Sequence, residues 1–359
     1  MSRVIMAQSV SNGLAMALYS LRADHDVRES RNGAVLAFRY PVLTEYEMPW
    51  RRVLFSPVRN ANPFFHLMEA LWMLAGRNDV WFPASFVPRM GGFSDDGKTL
   101  YGAYGHRWLF SFGFDQIRHA AHMLKKDPTS RRSVVAMWNS GAWSPHGNTS
   151  DSIAAATGGK DVPCNTHMYF DRRDGKLNMT VCCRSNDIIW GCYGANAVHF
   201  SILLEFMAAM VGCEMGVYRQ FSNDLHLYPS NMPRDFDMEL LENDLWGTDL
   251  YAKGLVTHMP LIDSANGETC SDFMQDLTTM FETVDLIRVC DVPLRPNVHR
   301  IHQTDMYRTR FLKSVVVPML QMWGGHAGVE SGGNEDNDWI VAGTQHRARS
   351  TARLRGVST

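Results

Sequence analysis

Between Asp161 and Tyr228 the chain assembles the residue types that covalent chemistry on an anionic, planar substrate requires. Pro163-Cys164-Asn165 supplies a thiol, and Cys183-Arg184-Ser185-Asn186-Asp187 supplies a guanidinium, a hydroxyl and a carboxylate. Gly191-Cys192-Tyr193-Gly194-Ala195-Asn196 supplies an amide, and His226-Leu227-Tyr228 an imidazole and a phenol. A thiolate is a strong nucleophile, and an arginine beside it favours its ionised form and can bind phosphate. Cys164 alone says little, because a lone cysteine is more often a small buried hydrophobe than a nucleophile. The ordered set around it is what points to nucleophilic catalysis.

Strands and amphipathic helices must place these groups. His167–Phe170 and Lys176–Arg184 read as two strands around Asp174-Gly175. Leu177, Met179, Val181 and Cys183 alternate against Asn178, Thr180, Cys182 and Arg184, so Arg184 lies on the polar face, where it can approach Cys164 and lower its thiol pKa. The helix 196–212 carries a stripe of Val198, Ile202, Phe206 and Met210, which is core. Upstream, residues 9–22 are helical with Leu14, Ala17, Leu18 and Leu21 on one face. Arg28–Gly33 reads as a polar turn before the strand Ala34–Phe38. Residues 62–76 form a helix with Pro63 in its first turn and Gly76 at its end. Glu69 is the only carboxylate in that apolar helix, so it must be paired, face a wet pocket or have its pKa raised. Residues 81–99 read as a loop, 115–125 as an amphipathic helix, and Arg131-Arg132 precede the strand Ser133–Trp138; residues 139–160 read as a loop.

With 359 residues, 45% hydrophobic and 20% charged, the chain can bury a full core in one large or two unequal domains. A formal net charge of −2 provides no basic field, so no direct nucleic acid or membrane partner is expected. Seven cysteines, an odd count without regular spacing, indicate a reducing compartment without disulfides. Cys182-Cys183 are neighbours on a strand rather than a metal-ligand pair, and no metal is expected. The N-terminus lacks a charged stretch followed by an apolar run, and no long uninterrupted apolar segment is read, so the expected location is cytoplasmic. Beyond Tyr228, residues 271–289 and 303–323 have helical periodicity, 324–337 is a Gly-rich link, and Asp338–Arg349 is a final short helix beside the basic Arg347, Arg349, Arg353 and Arg355. The expected division is a catalytic domain over 1–233 and a helical C-terminal extension over 234–359.

Pro-Cys before a hairpin, Arg-Ser-x-Asp after it, Gly191, an asparagine opening the next helix and a closing His-x-Tyr resemble the thymidylate synthase superfamily. That superfamily includes the pyrimidine nucleotide hydroxymethylases of some bacteriophages. Glu69-Ala-Leu-Trp72-Met-Leu-Ala-Gly76 is similar to its Glu-Leu-Leu-Trp-x-Leu-x-Gly helix. The resemblance implies an α/β (α+β) fold, a mixed sheet with surrounding helices, one sheet face forming a homodimer interface. It implies that Cys164 adds to C6 of a pyrimidine, that Glu69 organises water and moves protons, and that Tyr104 lies near the C5 proton. Asp187 would orient the folate and a backbone amide at the base, Asn196 read the base edge, and His226 with Tyr228 contact the deoxyribose hydroxyl. Phosphate would be held by Arg31, in preference to Arg28, by Arg184 and Ser185, and by Arg131 and Arg132 from the partner subunit. Trp81 would pack near the folate, and the implied co-substrate is 5,10-methylenetetrahydrofolate.

The departures from the family pattern narrow the chemistry. The family's Leu-Gly-x-Pro-Phe-Asn turn is one residue longer here, Trp190-Gly191-Cys192-Tyr193-Gly194-Ala195-Asn196, so either a bulge delivers Asn196 or Ala195 takes its place. Asn196 is preferred, because an amide can accept from N3–H and donate to O4 of uracil, whereas cytosine suits a carboxylate. Asn165 replaces the histidine that follows the family's cysteine, Trp81-Phe82-Pro83 alters its tryptophan-bearing segment, and a long extension replaces the short folate-closing tail. Each change favours water over hydride as the terminating nucleophile. The expected activity is therefore dUMP 5-hydroxymethylation, with thymidylate synthase, dCMP hydroxymethylase and a silent binding or assembly protein as the alternatives.

Overall fold

The computed structural model describes residues 3–141, 150–232, 236–301, 306–325 and 335–354. Most of the expected Gly-rich link, part of the 139–160 loop and Arg355 lie outside these. The strands are β1 (Arg3–Ala7), β2 (Asp26–Ser30), β3 (Gly33–Ala37), β4 (Val42–Tyr46), β5 (Val134–Ala136), β6 (Asn165–Arg173), β7 (Lys176–Cys183), β8 (Asn186–Asp187), β9 (Glu214–Ser222) and β10 (Leu225–Leu227). Among the described residues they form a six-stranded sheet, β1-β4-β9-β7-β6-β5, and a four-stranded sheet, β2-β3-β10-β8. Both are mixed: β7 runs parallel to β9 and antiparallel to β6, and β10 runs parallel to β8 and antiparallel to β3.

The central β6–β7 hairpin follows the alternation of its sequence. Asp174 (φ 50°) and Gly175 (φ 77°) both turn left-handed, as a tight two-residue hairpin loop requires. Leu177, Met179, Val181 and Cys183 are all buried. Asn178, expected on the polar face, is buried too, because the β7–β9 register shifts there and its side chain fills the gap. It donates to Asp171 at 2.9 Å and accepts from the Val217 amide at 2.9 Å.

Two buried helices back the sheets. Pro63–Leu74 starts on Asn62, whose side chain accepts from the Phe65 amide, and every one of its residues is buried, Glu69 included. Asn196–Val211 ends at Gly212 in the left-handed region. With the turns before it, this helix forms the run Ile188–Val211, long and apolar enough by composition to cross a membrane, although Asn196, His199, Ser201 and Glu205 interrupt its apolar residues. Its apolar window is 78% buried inside the fold, as a core helix is.

Other differences come from local caps. Residues 81–99 contain a helix, Trp81–Phe86, and a 3-10 turn, Pro88–Phe93, because Asp79 accepts from the Phe82 amide and Phe82 with Phe86 are buried. Ser150 starts a helix, Asp151–Ala156, inside the expected 139–160 loop. The expected Arg28–Gly33 turn shrinks to Arg31-Asn32, since β2 and β3 pair from Ser30↔Gly33 onward. The expected final helix runs on to Leu354.

Residues beyond 233 pack on this frame rather than beside it. The helix Cys270–Val289, started by a Thr269–Asp272 capping box, sends Phe281 against Phe82 (5.1 Å) and Phe273 against Phe206 (5.8 Å). Trp323 stacks on Phe86 at 4.1 Å, and Arg77 forks onto Asp285 at 2.8 and 2.7 Å. A buried ionic group joins the same parts: Glu205 pairs with Arg52, takes His258 at 3.0 Å and accepts from the Leu261 amide at 3.0 Å, while Tyr251 donates to Asp338 at 2.7 Å.

Candidate active site

Cys164 immediately precedes β6, half-buried, and its carbonyl accepts from the Arg184 amide at 2.9 Å. The Arg184 guanidinium folds back over the same strap, donating from Nε to Pro163 O (3.0 Å) and from Nη2 to Val162 O (2.9 Å), with Nη2 3.8 Å from Cys164 Sγ. Burial pushes the Cys164 thiol up; Arg184 and Arg31 pull it down, and Asp161 and Asp187 oppose them. Arg184 thus acts in the expected direction, but burial outweighs it and the thiol is held above its ordinary value. The Arg31 guanidinium donates to Gly159 O at 3.1 Å, and Ser185 is half-buried beside Arg184.

Asp161, which the sequence did not single out, also acts on this thiol, raising it by its charge. Burial raises its carboxyl to about 6, against the pull of the Gly102 amide, which donates to it at 2.8 Å, and of Arg107. A Cβ on Gly102 would meet the Asp161 carbonyl at 2.8 Å, so this approach needs glycine. Gly105 is tighter: a Cβ there would lie 1.7 Å from Met73 O, and its absence lets the turn bearing Tyr104 seat on the Glu69 helix. Tyr104 stacks on Phe200 at 5.6 Å. Burial, with Cys164, Cys183 and Asp161 nearby, keeps it a neutral phenol well above its ordinary range. Glu69 is only 9% exposed, and its Oε2 lies 3.0 Å from His199 Nε2 without the angular alignment of a hydrogen bond.

The extra residue between Gly191 and Asn196 is absorbed by π-type turns over Ile188–Ala195, in which Tyr193 and Gly194 leave helical geometry and the Asn196 amide bonds Gly191 O. Asn196 is buried and donates from Nδ2 to Asn186 Oδ1 at 3.1 Å; Asn186 in turn donates to Gln220 (3.0 Å) and Ser222 (3.1 Å). This relay fixes the amide plane and leaves Oδ1 and the second Nδ2–H for a ligand. Ala195 carries no side-chain cap and has helical angles. Asp187 accepts from the Trp190 amide at 2.6 Å. Burial raises it, and the Trp190 amide, His226 and Arg59 hold it down. His226, paired with Asp187 across β8 and β10, bonds Asp224 through Nδ1 at 2.9 Å, and its ring stands edge-on to Tyr228 at 5.0 Å. The Tyr228 hydroxyl accepts from Ser30 at 3.3 Å.

Three expected site residues lie elsewhere in the chain's own frame. Arg131 and Arg132 are exposed just ahead of β5, the edge strand of the larger sheet, and Trp81 faces Arg288 of the extension at 5.9 Å. A group the sequence did not suggest stands beside Asp187 instead: Arg59 and Arg89 lie 5.1 and 3.5 Å from the ring centre of the partly exposed Trp190. Arg59 is buried, lowered to about 10 mainly by that burial, and its Nε has no partner. Two guanidiniums held against a partly exposed indole make a cationic, aromatic patch, which fits a planar ring system with an anionic tail, as a folate has. No group of three or more metal-ligating side chains occurs among the described residues.

The family model for thymidylate synthase matches residues 39–245. Over 281 residues the chain is 44% identical to the deoxyuridylate hydroxymethyltransferase of Pseudomonas phage M6, covering 77% of each. The chain belongs to the thymidylate synthase family. Proteins of the same name from Bacillus phage SP01 and Delftia phage PhiW-14 are 40% identical over 213 residues (56% of this chain, 53% of the relative) and 29% identical over 251 residues (68% of each). The mixed sheets and surrounding helices are those of the thymidylate synthase fold, and the family's enzymes are C5 one-carbon transferases that use methylenetetrahydrofolate as co-substrate.

Proposed function

We propose that the protein is a deoxyuridylate 5-hydroxymethyltransferase, converting dUMP, 5,10-methylenetetrahydrofolate and water into 5-hydroxymethyl-dUMP and tetrahydrofolate. Its similarity to three phage proteins of that name carries the reading within the family. The Asn196 amide supports uracil as the base: with one N–H spent on Asn186, it retains an acceptor for N3–H and a donor for O4.

The residues divide the work as follows. Arg184, Arg31 and Ser185 take the phosphate, with Arg131 and Arg132 supplied across a dimer, and His226 with Tyr228 hold the sugar hydroxyl. A phosphate in this corner leaves Arg184 over Cys164 Sγ, which adds to C6 once its proton has left, and the electron pair moves to C5 and O4, where Glu69 organises the water that stabilises it. The folate supplies the one-carbon unit; Asp187, the Arg59–Trp190–Arg89 stack and Trp81 are the residues that would hold it. Tyr104 stays protonated, so the base beside it that removes the C5 proton is Asp161, ionised at neutral pH. Water then adds to the C5 methylene, Glu69 takes its proton, and the electrons returning through C5 restore the C5–C6 double bond and expel the Cys164 thiolate.

Residues 1–233 would form the catalytic domain and 234–359 the extension that walls it. Val4, Met6, Val134 and Tyr169 stay exposed on the strands of the larger sheet, which suits a second copy as the cover for that face. The free cysteines suit the reducing host cytoplasm. Incubation with dUMP and methylenetetrahydrofolate, followed by mass spectrometry of the nucleotide, tests the whole reading: a hydroxymethyl adduct is expected. Thymidylate with stoichiometric dihydrofolate would replace it by a synthase, and hydroxymethylation of dCMP instead would overturn the base assignment.

A further inference from the structure

We infer that His199 is the positioning residue of the hydration step, aiming the Glu69 carboxylate so that it takes the proton of the attacking water. The inference rests on the hydroxymethyltransferase reading and adds a residue to it. His199 lies three positions after Asn196, so one face of the first helical turn presents both the base-reading amide and the imidazole. Across the helix contact its Nε2 stands 3.0 Å from Glu69 Oε2, with His199 7% and Glu69 9% exposed. Neither ring nitrogen of His199, nor Glu69 Oε2, has a hydrogen-bond partner within the protein. Three buried polar atoms left open where two largely apolar helices meet are a built place for water.

The imidazole is what lets the carboxylate work there. A buried carboxylate in an apolar helix needs a polar neighbour to hold its direction. His66, one turn earlier on the same helix, is kept neutral, because burial, with Arg59, His199 and His346 around it, drives it down to about 3. That leaves His199, whose Nε2 stands 3.0 Å from Oε2, as the imidazole that faces Glu69. In the step itself the water oxygen bonds to the methylene carbon on C5, the π electrons pass to C5 and O4, one water proton passes to Glu69, and the C6–S bond breaks to release Cys164 as thiolate. Termination by hydride asks for no proton acceptor at this point, so the pair is specific to hydration.

The test uses full-length His199→Phe and His199→Gln proteins, with kcat, KM for dUMP, the product ratio and the covalent complex with fluoro-dUMP and methylenetetrahydrofolate as readouts. His199→Phe is expected to lose about 100-fold in kcat with KM for dUMP within about twofold, to keep the fluoro-dUMP complex and to shift residual product toward thymidylate. His199→Gln, which retains an N–H donor, is expected to recover most of that loss. An unchanged kcat in His199→Phe would overturn the inference. So would loss of the fluoro-dUMP complex in both variants, which would make the residue structural. A parent enzyme that itself releases thymidylate refutes the hydroxymethyl reading before any variant is compared, so the two failures are distinguishable.

Discussion

Cys164 sits where burial raises a thiol and two guanidiniums, those of Arg184 and Arg31, lower it, and the raising effect is larger. The thiolate is therefore formed on demand, and Cys164→Ala is expected to abolish turnover, at least about 10⁴-fold, while calorimetry still detects dUMP binding. Asp161, held near 6 by burial, must be ionised to act as base. Below pH 6 it is protonated, so kcat should fall as pH drops through about 6, and the pH profile of Asp161→Asn should lose that limb along with most of the activity. Asn196→Asp exchanges the free amide donor for an acceptor, and the dCMP-to-dUMP preference ratio should rise about tenfold or more in competition assays. Cys164, Asn196 and Glu69 were legible as residues because each breaks its surroundings or falls in a motif. Asp161 was not, since its significance comes from Gly102 and Cys164 meeting it in space. His199 could have been found from its three-residue spacing after Asn196.

At the scale of elements, sequence patterns read well wherever one period dominates. Apolar-polar alternation marked β7, and Pro63 with Gly76 bracketed the Glu69 helix to within two residues. They failed where structure depends on a partner from outside the window: Trp81–Phe86 is helical because Asp79 caps it and Phe281 of the extension covers Phe82. The docking of that extension has its own pH signature. Burial opposes the charge of His258, yet Glu205 and Asp338 raise it to about 9, and burial likewise opposes Glu205, yet Arg52 and His258 lower it to about 2. The histidine's contribution is complete below its unfolded value of about 6.5 and is lost as pH rises through 9. The glutamate's is complete above about 4.5 and is lost as pH falls toward 2. Thermal melting should therefore show a plateau between about pH 4.5 and 6.5 with a loss toward pH 9. His258→Ala should remove the alkaline loss and lower Tm by several degrees at pH 6, where parent and variant are compared.

For the molecule as a whole, the larger sheet presents Val4, Met6, Val134 and Tyr169 outward, and Arg131 with Arg132 stand at its open edge. If a second copy covers that face and lends those arginines, sedimentation should give a dimer, and two inactive proteins should repair each other. An equimolar mixture of Cys164→Ala with a double Arg131→Ala, Arg132→Ala variant should regain roughly a quarter of parental turnover, since half the dimers are mixed and each holds one intact site. No recovery, from subunits shown to exchange, would place the phosphate site within one chain.

The aromatic pairs Phe82–Phe281, Phe206–Phe273 and Phe86–Trp323 also carry a consequence for how the protein comes into being. On the ribosome, Phe82, Phe86 and Phe206 emerge well before their partners, and the helix bearing Glu69 waits with one flank uncovered until residues 273–323 are out. A nascent chain that already displays Cys164, Arg184 and Tyr228 still lacks the aromatic partners of Phe82, Phe86 and Phe206. Nascent chains stalled before residue 270 should consequently engage chaperones and bind no dUMP, and competence should arrive abruptly as the later aromatics dock.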